Sequence, residues 1–259
     1  MPRFAANISL LFTEAPFLER PALAARAGFS AIELWWPPAD ALDRLEDAVR
    51  DAGVEVALLN FDAGDMAAGD RGLLSDPARL DAFRANVPVA LDLASRLGCT
   101  RLNALVGVRV PSLTLEEQLE LARESVAWAA GEAAVVGASV LVEALNTFEN
   151  GAYLLTRTDE ARRFVDAVGR ADVLLQYDAY HMQRMEGNLS ETLRAHLDRI
   201  GHIQIADVPG RGEPGTGEIR FDFLLAEIDR LGYDGWVGLE YRPSTGSTEA
   251  SLAWLRRAG

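Results

Sequence analysis

The stretch Val173-Leu174-Leu175-Gln176-Tyr177-Asp178-Ala179-Tyr180-His181-Met182-Gln183-Arg184-Met185-Glu186-Gly187 decides how this chain is read. A short, β-prone apolar run ends in an acid, and one of only three histidines follows three residues later. The pattern reads as a strand with Asp178 at its carboxyl end and His181 in the loop beyond. An oxygen donor and an imidazole at the mouth of a strand suit a divalent metal or a polar substrate. Taken alone, Asp-x-x-His is explained as well by a cap or a surface hydrogen bond. It gains weight because the same arrangement, strand followed by acid or amide, recurs three more times.

Working outward, eight strand-like runs alternate with helical patterns. The strands are Phe4–Ile8, Ala31–Leu34, Val54–Asn60, Arg101–Val106, Ser139–Glu143, Val173–Asp178, Ile200–Ala206 and Gly235–Glu240. The helices are Phe17–Ala27, Asp40–Ala52, Pro77–Leu97, Leu115–Val136, Asp159–Val168, Asn188–Leu197, Phe221–Leu231 and a closing Thr248–Arg257. Gly53 is placed to end the second helix in a left-handed cap, and Thr114 with Glu117 forms a capping-box pattern before the fourth. The loop Asp62–Ser75, with Gly64, Gly69 and Gly72, is long enough to be a functional candidate. Regular alternation of short strands and helices implies parallel strands joined by right-handed crossovers. Eight such units in 259 residues predict an α/β fold, a closed (β/α)8 TIM barrel, as one domain over residues 1–259.

The totals agree. Hydrophobic residues make up 49%, ordinary for a globular protein. Acidic residues outnumber basic ones 39 to 25, a net charge of −14, which argues against a nucleic-acid partner, since such binding runs through Lys and Arg neutralising phosphates. A small anionic substrate is not excluded, because a few local arginines outweigh a distant negative surface. Cys99 is the only cysteine, so neither an intrachain disulfide nor a cysteine cluster for zinc is available, and a reducing cytoplasm is the natural compartment. Met1–Phe12 reads as a first strand rather than a signal peptide, and no uncharged apolar run is long enough to span a membrane.

Barrels of this kind place their chemistry at the carboxyl ends of several strands. Here those ends carry Glu143, Asp178, Gln204 and Glu240, spaced by 35, 26 and 36 residues, each near one βα unit. Four oxygen donors are thus expected to converge at the mouth. Crowded carboxylates repel unless something positive lies between them, and a hard divalent cation, Mg²⁺ or Mn²⁺, suits such a set better than zinc. Strand alternation puts His202 on the same inward face as Gln204, one layer lower. His196 is expected on a solvent-facing helix surface, and His181 is the histidine expected to contact substrate.

Several motifs resemble the hydroxypyruvate isomerase family of xylose-isomerase-like barrels. They are Glu-Ala-Leu-Asn-Thr-Phe-Glu at 143–149, Gln-Tyr-Asp-Ala-Tyr-His-Met-Gln-Arg-Met-Glu-Gly at 176–187 and His-Ile-Gln-Ile-Ala-Asp at 202–207, joined by Arg-Gly-Glu-Pro-Gly-Thr-Gly-Glu-Ile at 211–219, Gly-Trp-Val-Gly-Leu-Glu-Tyr at 235–241 and the early loop at 63–72. The resemblance runs from Phe4 almost to the end. It implies Glu143 and Glu240 as the proton-transfer pair and Glu143, Asp178, Gln204 and Glu240 as the metal site. The related ketose 3-epimerases usually have histidine at the position of Gln204, which favours the isomerase branch. Ala144 replaces the proline common in relatives and leaves the adjacent ligand intact.

The resulting expectation is interconversion of hydroxypyruvate and tartronate semialdehyde through a cis-enediolate. The substrate class is a small hydroxy-oxo acid. His181 and Glu149 are expected to contact it, and its carboxylate needs a cation, for which Arg71, Arg184 and Arg211 lie in suitable loops. Gly210–Gly217 lacks the spacing of a phosphate-cradling loop and reads as a shaped turn. Trp35, Trp36, Phe61 and Phe148 are candidates for the pocket wall, with core packing as the alternative for each. The nearest rival is a 2-oxo-tetronate or other short sugar-acid isomerase. An endonuclease IV-like nuclease would need more histidines and a basic groove, and a non-catalytic sugar-acid sensor would not need both glutamates. Barrels of this kind often pair, so a homodimer is the oligomer to test, although no stretch of sequence marks an interface.

Overall fold

The computed structural model describes residues 2–255. Eight strands, β1 (Arg3–Asn7), β2 (Ala31–Leu34), β3 (Glu55–Asn60), β4 (Arg101–Asn103), β5 (Ser139–Glu143), β6 (Val173–Asp178), β7 (Ile200–Ile205) and β8 (Trp236–Leu239), pair in parallel and close in sequence order into a barrel. The intervening helices are α1 (Arg20–Arg26), α2 (Leu45–Ala52), α3 (Leu80–Leu97), α4 (Leu115–Val135), α5 (Thr147–Asn150), α6 (Thr158–Val168), α7 (Ala179–Met185), α8 (Leu189–His196), α9 (Phe221–Arg230) and α10 (Thr248–Ser251). The strands are largely buried on both faces because helices cover the outside while side chains fill the inside. No helix among the described residues is long and apolar enough to cross a membrane.

β2, β5 and β6 coincide with the runs read from sequence. The capping box forms: Glu117 N–H donates to Thr114 Oγ1 at 3.2 Å and Thr114 N–H to Glu117 Oε2 at 2.8 Å. Gly53 caps α2 at φ 67°. Most other bounds shift by one to five residues and a short helix, α5, appears that was not expected; three further differences have a visible cause or limit. β4 ends at Asn103 rather than Val106, because the chain turns away to bridge Val108 with Tyr153, and the Tyr153 hydroxyl accepts the Val106 N–H at 2.9 Å. His181 lies not in a loop but in the short helix α7, whose N-cap is Asp178, with Oδ1 accepting the Tyr180 N–H at 2.8 Å. The closing helix is α10 followed by a 3-10 turn at Leu252–Trp254, and residues 256–257 of that expectation lie outside the described residues.

Alternation along the strands sets what the barrel encloses. Ala5, Ala31 and Ala57 pack with Trp236 in a cluster separate from the main core. One or two inward positions further along, the filling becomes polar: Asn7, Glu33, Gln176, His202 and Gln204 are all buried. The main apolar core lies between strands and helices.

The loop 62–75 folds over the barrel mouth and depends on Gly72. Its φ is 107°, and a Cβ there would lie 1.8 Å from Leu105 O. Gly72→Ala is expected to cost about 1–3 kcal/mol by strain and overpacking, read as a lower denaturation midpoint. Gly69 has the same φ of 107° with open space around it, so Gly69→Ala carries the backbone strain alone and should cost less. Equal losses in both variants would discard the close contact as the cause.

Candidate active site

A cavity of about 320 Å³ opens at the carboxyl ends of the strands, lined by Glu143, Glu149, His181, Arg211, Glu240 and Arg71 among others. These six side chains were all singled out from the sequence. Asp178 and Gln204 do not line it; both are buried beside it. Glu143 ends β5 and lies opposite Gln176, Asp178 lies opposite Gln204, and Gln204 lies opposite Gly238, two residues before Glu240. The four positions therefore come from adjacent strands but do not share one register row.

Arg211 provides the positive charge among the carboxylates. It ion-pairs closely with Glu240 Oε2 and lies 3.7 Å from Asp178 Oδ2 and 4.0 Å from Glu149 Oε2. Its backbone is left-handed at φ 54°, a region that usually favours glycine, and its carbonyl accepts the Arg242 N–H at 2.7 Å. The adjacent glycine-rich turn winds around Asp207, whose carboxylate accepts from Val208, Gly215, Gly217 and Ile219 N–H at 2.8–3.0 Å. Those amides are spent within the turn and leave no phosphate cradle.

Glu240 Oε1 also accepts from Trp35 Nε1 at 2.6 Å and Asn7 Nδ2 at 3.1 Å. Glu143 Oε2 accepts from Asn103 Nδ2 at 2.8 Å. Burial raises Glu143 well above the usual carboxylate range, and the charges of Glu240 and Asp178 add to the shift. Burial likewise raises Glu240, against the pull of Arg211. Asp178 is pushed up to about 7, chiefly by burial, with Arg211 opposing. Burial alone would lower the Arg211 guanidinium, but the surrounding carboxylates hold it above its ordinary value.

Burial, then Arg211, Arg184 and Arg71, depress His181, so its ring is neutral. Nδ1 accepts the Asn146 N–H at 3.1 Å. The ring proton therefore sits on Nε2, which lies 3.4 Å from Asp178 Oδ2. The other histidines play different parts. His202 is buried with Nε2 2.6 Å from Glu33 Oε2. His196 is not fully solvent-facing as expected but half-buried, 3.2 Å from Asp159.

Whether these residues fit a divalent cation can be judged from their atoms. Carboxylate oxygens of Glu143 and Asp178 approach within 4.8 Å of one another, with the His181 ring beside them. Asp178 Oδ2 is buried with no hydrogen-bond partner, a costly state for a carboxylate oxygen that a cation would relieve. Gln204 turns Nε2 to Glu33 Oε1 at 2.7 Å while Oε1 accepts from Gln176 at 2.6 Å, leaving that oxygen a second lone pair. The donor set is compatible with a hard cation.

Sequence reading missed Glu33. Its carboxylate accepts from Asn7 Nδ2 at 3.0 Å and from Gln204, and pairs with His202. Gly238 leaves room for it, since a Cβ there would fall 2.1 Å from Glu33 Oε2. The signal was present: Ala31-Ile32-Glu33 repeats the pattern of an apolar strand followed by an acid. Asn7, Asn103 and Asn146, which hold Glu240, Glu143 and His181, had no comparable signal. Of the four candidate aromatics, Trp35 lines the cavity. Phe61 is core, edge-on to Phe83 at 5.7 Å, and Trp36 packs partly buried against the core. Phe148 is 69% exposed with Arg184 stacked on its ring at 4.6 Å.

The family model described as "Xylose isomerase-like TIM barrel" matches residues 21–258. The chain is 42% identical over 255 residues to the hydroxypyruvate isomerase of Escherichia coli K12, covering 98% of each. It is 41% identical over 256 residues to the 2-oxo-tetronate isomerase of Cupriavidus necator, covering 99% of this chain and 98% of that one. A solved structure from Brucella melitensis, described as an AP endonuclease of family 2, superposes with a TM-score of 0.94 at 40% identity over 99% of both chains. The closed barrel, the matched family model and full-length identities above 40% lead to one assignment: the chain belongs to the xylose isomerase-like TIM barrel family.

Proposed function

We propose that the chain is an isomerase of short 2-oxo-3-hydroxy acids, interconverting hydroxypyruvate and tartronate semialdehyde. The observation that carries this reading is the pair Glu143 and Glu240, both buried and both lining one small cavity. Isomerisation moves a carbonyl from C2 to C3 of the substrate, so a proton must leave C3 and one must be delivered to C2. Two carboxyls in one cavity suit this, because burial and like charge favour one protonated and one ionised partner. His181, with its proton on Nε2, donates to an oxygen of the enediolate. Trp35 and Asn7 hold the Glu240 carboxylate in place, and Asn103 does the same for Glu143. Glu149, tied to Arg184 at 3.7 Å, closes the rim.

Glu143, Asp178, Gln204 and Glu240 would hold a Mg²⁺ or Mn²⁺ ion, which when bound supplies Lewis-acid stabilisation of charge on substrate oxygens. Incubation with a chelator is expected to lower turnover by tenfold or more, on the order of the loss when such stabilisation is removed, with recovery on adding Mn²⁺ or Mg²⁺. Full activity after exhaustive chelation would remove the cation from the account.

The 2-oxo-tetronate isomerase relative makes the four-carbon acid the second substrate to assay. Turnover of 2-oxo-tetronate with hydroxypyruvate untouched would transfer the reading to the longer acid. The nuclease description of the Brucella structure finds less support. The net charge is −14, and among the described residues the one metal-type cluster contains a single histidine. Nicking of abasic duplex DNA without turnover of either acid would overturn the isomerase reading.

A further inference from the structure

We propose that Arg242 is the substrate-carboxylate anchor, a specificity residue reading the acid end of the substrate from the cavity rim. The proposal rests on the reading of the substrate as a short 2-oxo acid and names the group that recognises it.

The floor of the cavity is acidic. Glu143 and Glu240 line it, with Asp178 buried beside them, and an anionic carboxylate placed among them would be repelled. The acid end of the substrate must therefore face the rim, where a cation with free donors is needed. Three nearby arginines are already engaged by protein partners. Arg211 is committed to Glu240 and faces Asp178 and Glu149. Arg71 clasps the 62–75 loop to α5: Nε donates to Asn150 Oδ1 at 2.6 Å, Nη1 to the Asp70 and Met66 carbonyls, and Nη2 to Glu149 O. Arg184 donates to Tyr180 Oη at 2.7 Å, pairs with Glu149 and stacks on Phe148.

Arg242 differs. It lines the same cavity, it is exposed, and its guanidinium has no hydrogen-bond or ion-pair partner among the described residues. Its backbone is nonetheless fixed, since its N–H donates to Arg211 O at 2.7 Å and it follows Glu240 by two residues. A planar guanidinium with all donors free matches a carboxylate bidentately. Hydroxypyruvate and 2-oxo-tetronate share that carboxylate, so Arg242 serves either.

The test compares wild type, Arg242→Met and Arg242→Lys on hydroxypyruvate. It also measures calorimetric binding of glycerate, which needs no turnover, and of dihydroxyacetone, which keeps the ketone and CH₂OH but lacks the acid. Loss of a charge-assisted bond predicts a KM increase of about 10- to 100-fold in Arg242→Met, larger than its effect on kcat. Glycerate binding should weaken similarly, lysine should restore part of each, and dihydroxyacetone binding should stay at the wild-type level. Unchanged glycerate binding in Arg242→Met, equal weakening of dihydroxyacetone, or a wild type that does not bind glycerate each overturns the proposal. A wild type that binds glycerate through Arg242 yet turns over neither acid would instead discard the proposed reaction and keep the anchor.

Discussion

Glu143→Gln and Glu240→Gln are each expected to lower kcat for hydroxypyruvate by about 10²–10⁴-fold, the usual worth of a positioned proton-transfer group, without unfolding the barrel. The amide keeps the shape and an acceptor oxygen, so Asn103 still has a partner at position 143 and Trp35 at position 240. What is lost is the ability to take or give a proton. Stability should separate the two variants. Glu143 is raised by burial and by the charges of Glu240 and Asp178, so neutralising it removes repulsion, and Glu143→Gln should melt no lower than wild type. Glu240 pairs with Arg211, so Glu240→Gln leaves a buried guanidinium with weaker partners and should melt lower. Kinetics with paired thermal denaturation measures both. Turnover in either variant close to wild type would remove that carboxyl from the chemistry.

The largest expected loss of stability is at Glu33, which touches no substrate. Its carboxylate accepts from Asn7, Gln204 and His202 in the barrel interior. Glu33→Ala strands those donors without water. Breaking such a buried network by removing one partner costs about 3–5 kcal/mol, roughly a 6–20 °C fall in Tm for a chain of this size. Turnover should also fall, since Asn7 links Glu33 to Glu240 and Gln204 flanks Asp178. Glu33→Gln keeps one acceptor and should lose less. If Glu33→Ala changed stability by no more than the roughly 0.5 kcal/mol of a neutral surface substitution, the interior network would have no structural weight.

The fold was legible because the pattern repeats: eight apolar runs at unit spacing leave few alternatives to a barrel, and three strands fall on the residues read from sequence. What escaped was decided by contacts distant along the chain. β4 stops early because Tyr153, 47 residues away, takes the Val106 N–H. His181 is helical because the Asp178 side chain caps a turn that looked like a loop. In the site, acids at strand ends stood out, and six predicted residues do line one cavity. Glu33 obeyed the same rule but was passed over, since its partners lie across the barrel at positions 202 and 204. Arg71, read as a substrate cation, does line the cavity, and its donors also clasp the 62–75 loop to α5, a second role set by contacts distant along the chain.

The central claim is that two carboxyls, one removing and the other returning a proton, act on neighbouring carbons of one bound substrate. The most direct measurement follows the C3 deuterium of [3,3-²H₂]hydroxypyruvate in ordinary water, with the product trapped by borohydride within the first turnovers. The account predicts tartronate semialdehyde with a solvent-derived hydrogen at C2. Product retaining the substrate's own deuterium at C2 would show a single base or a direct hydride shift and contradict it.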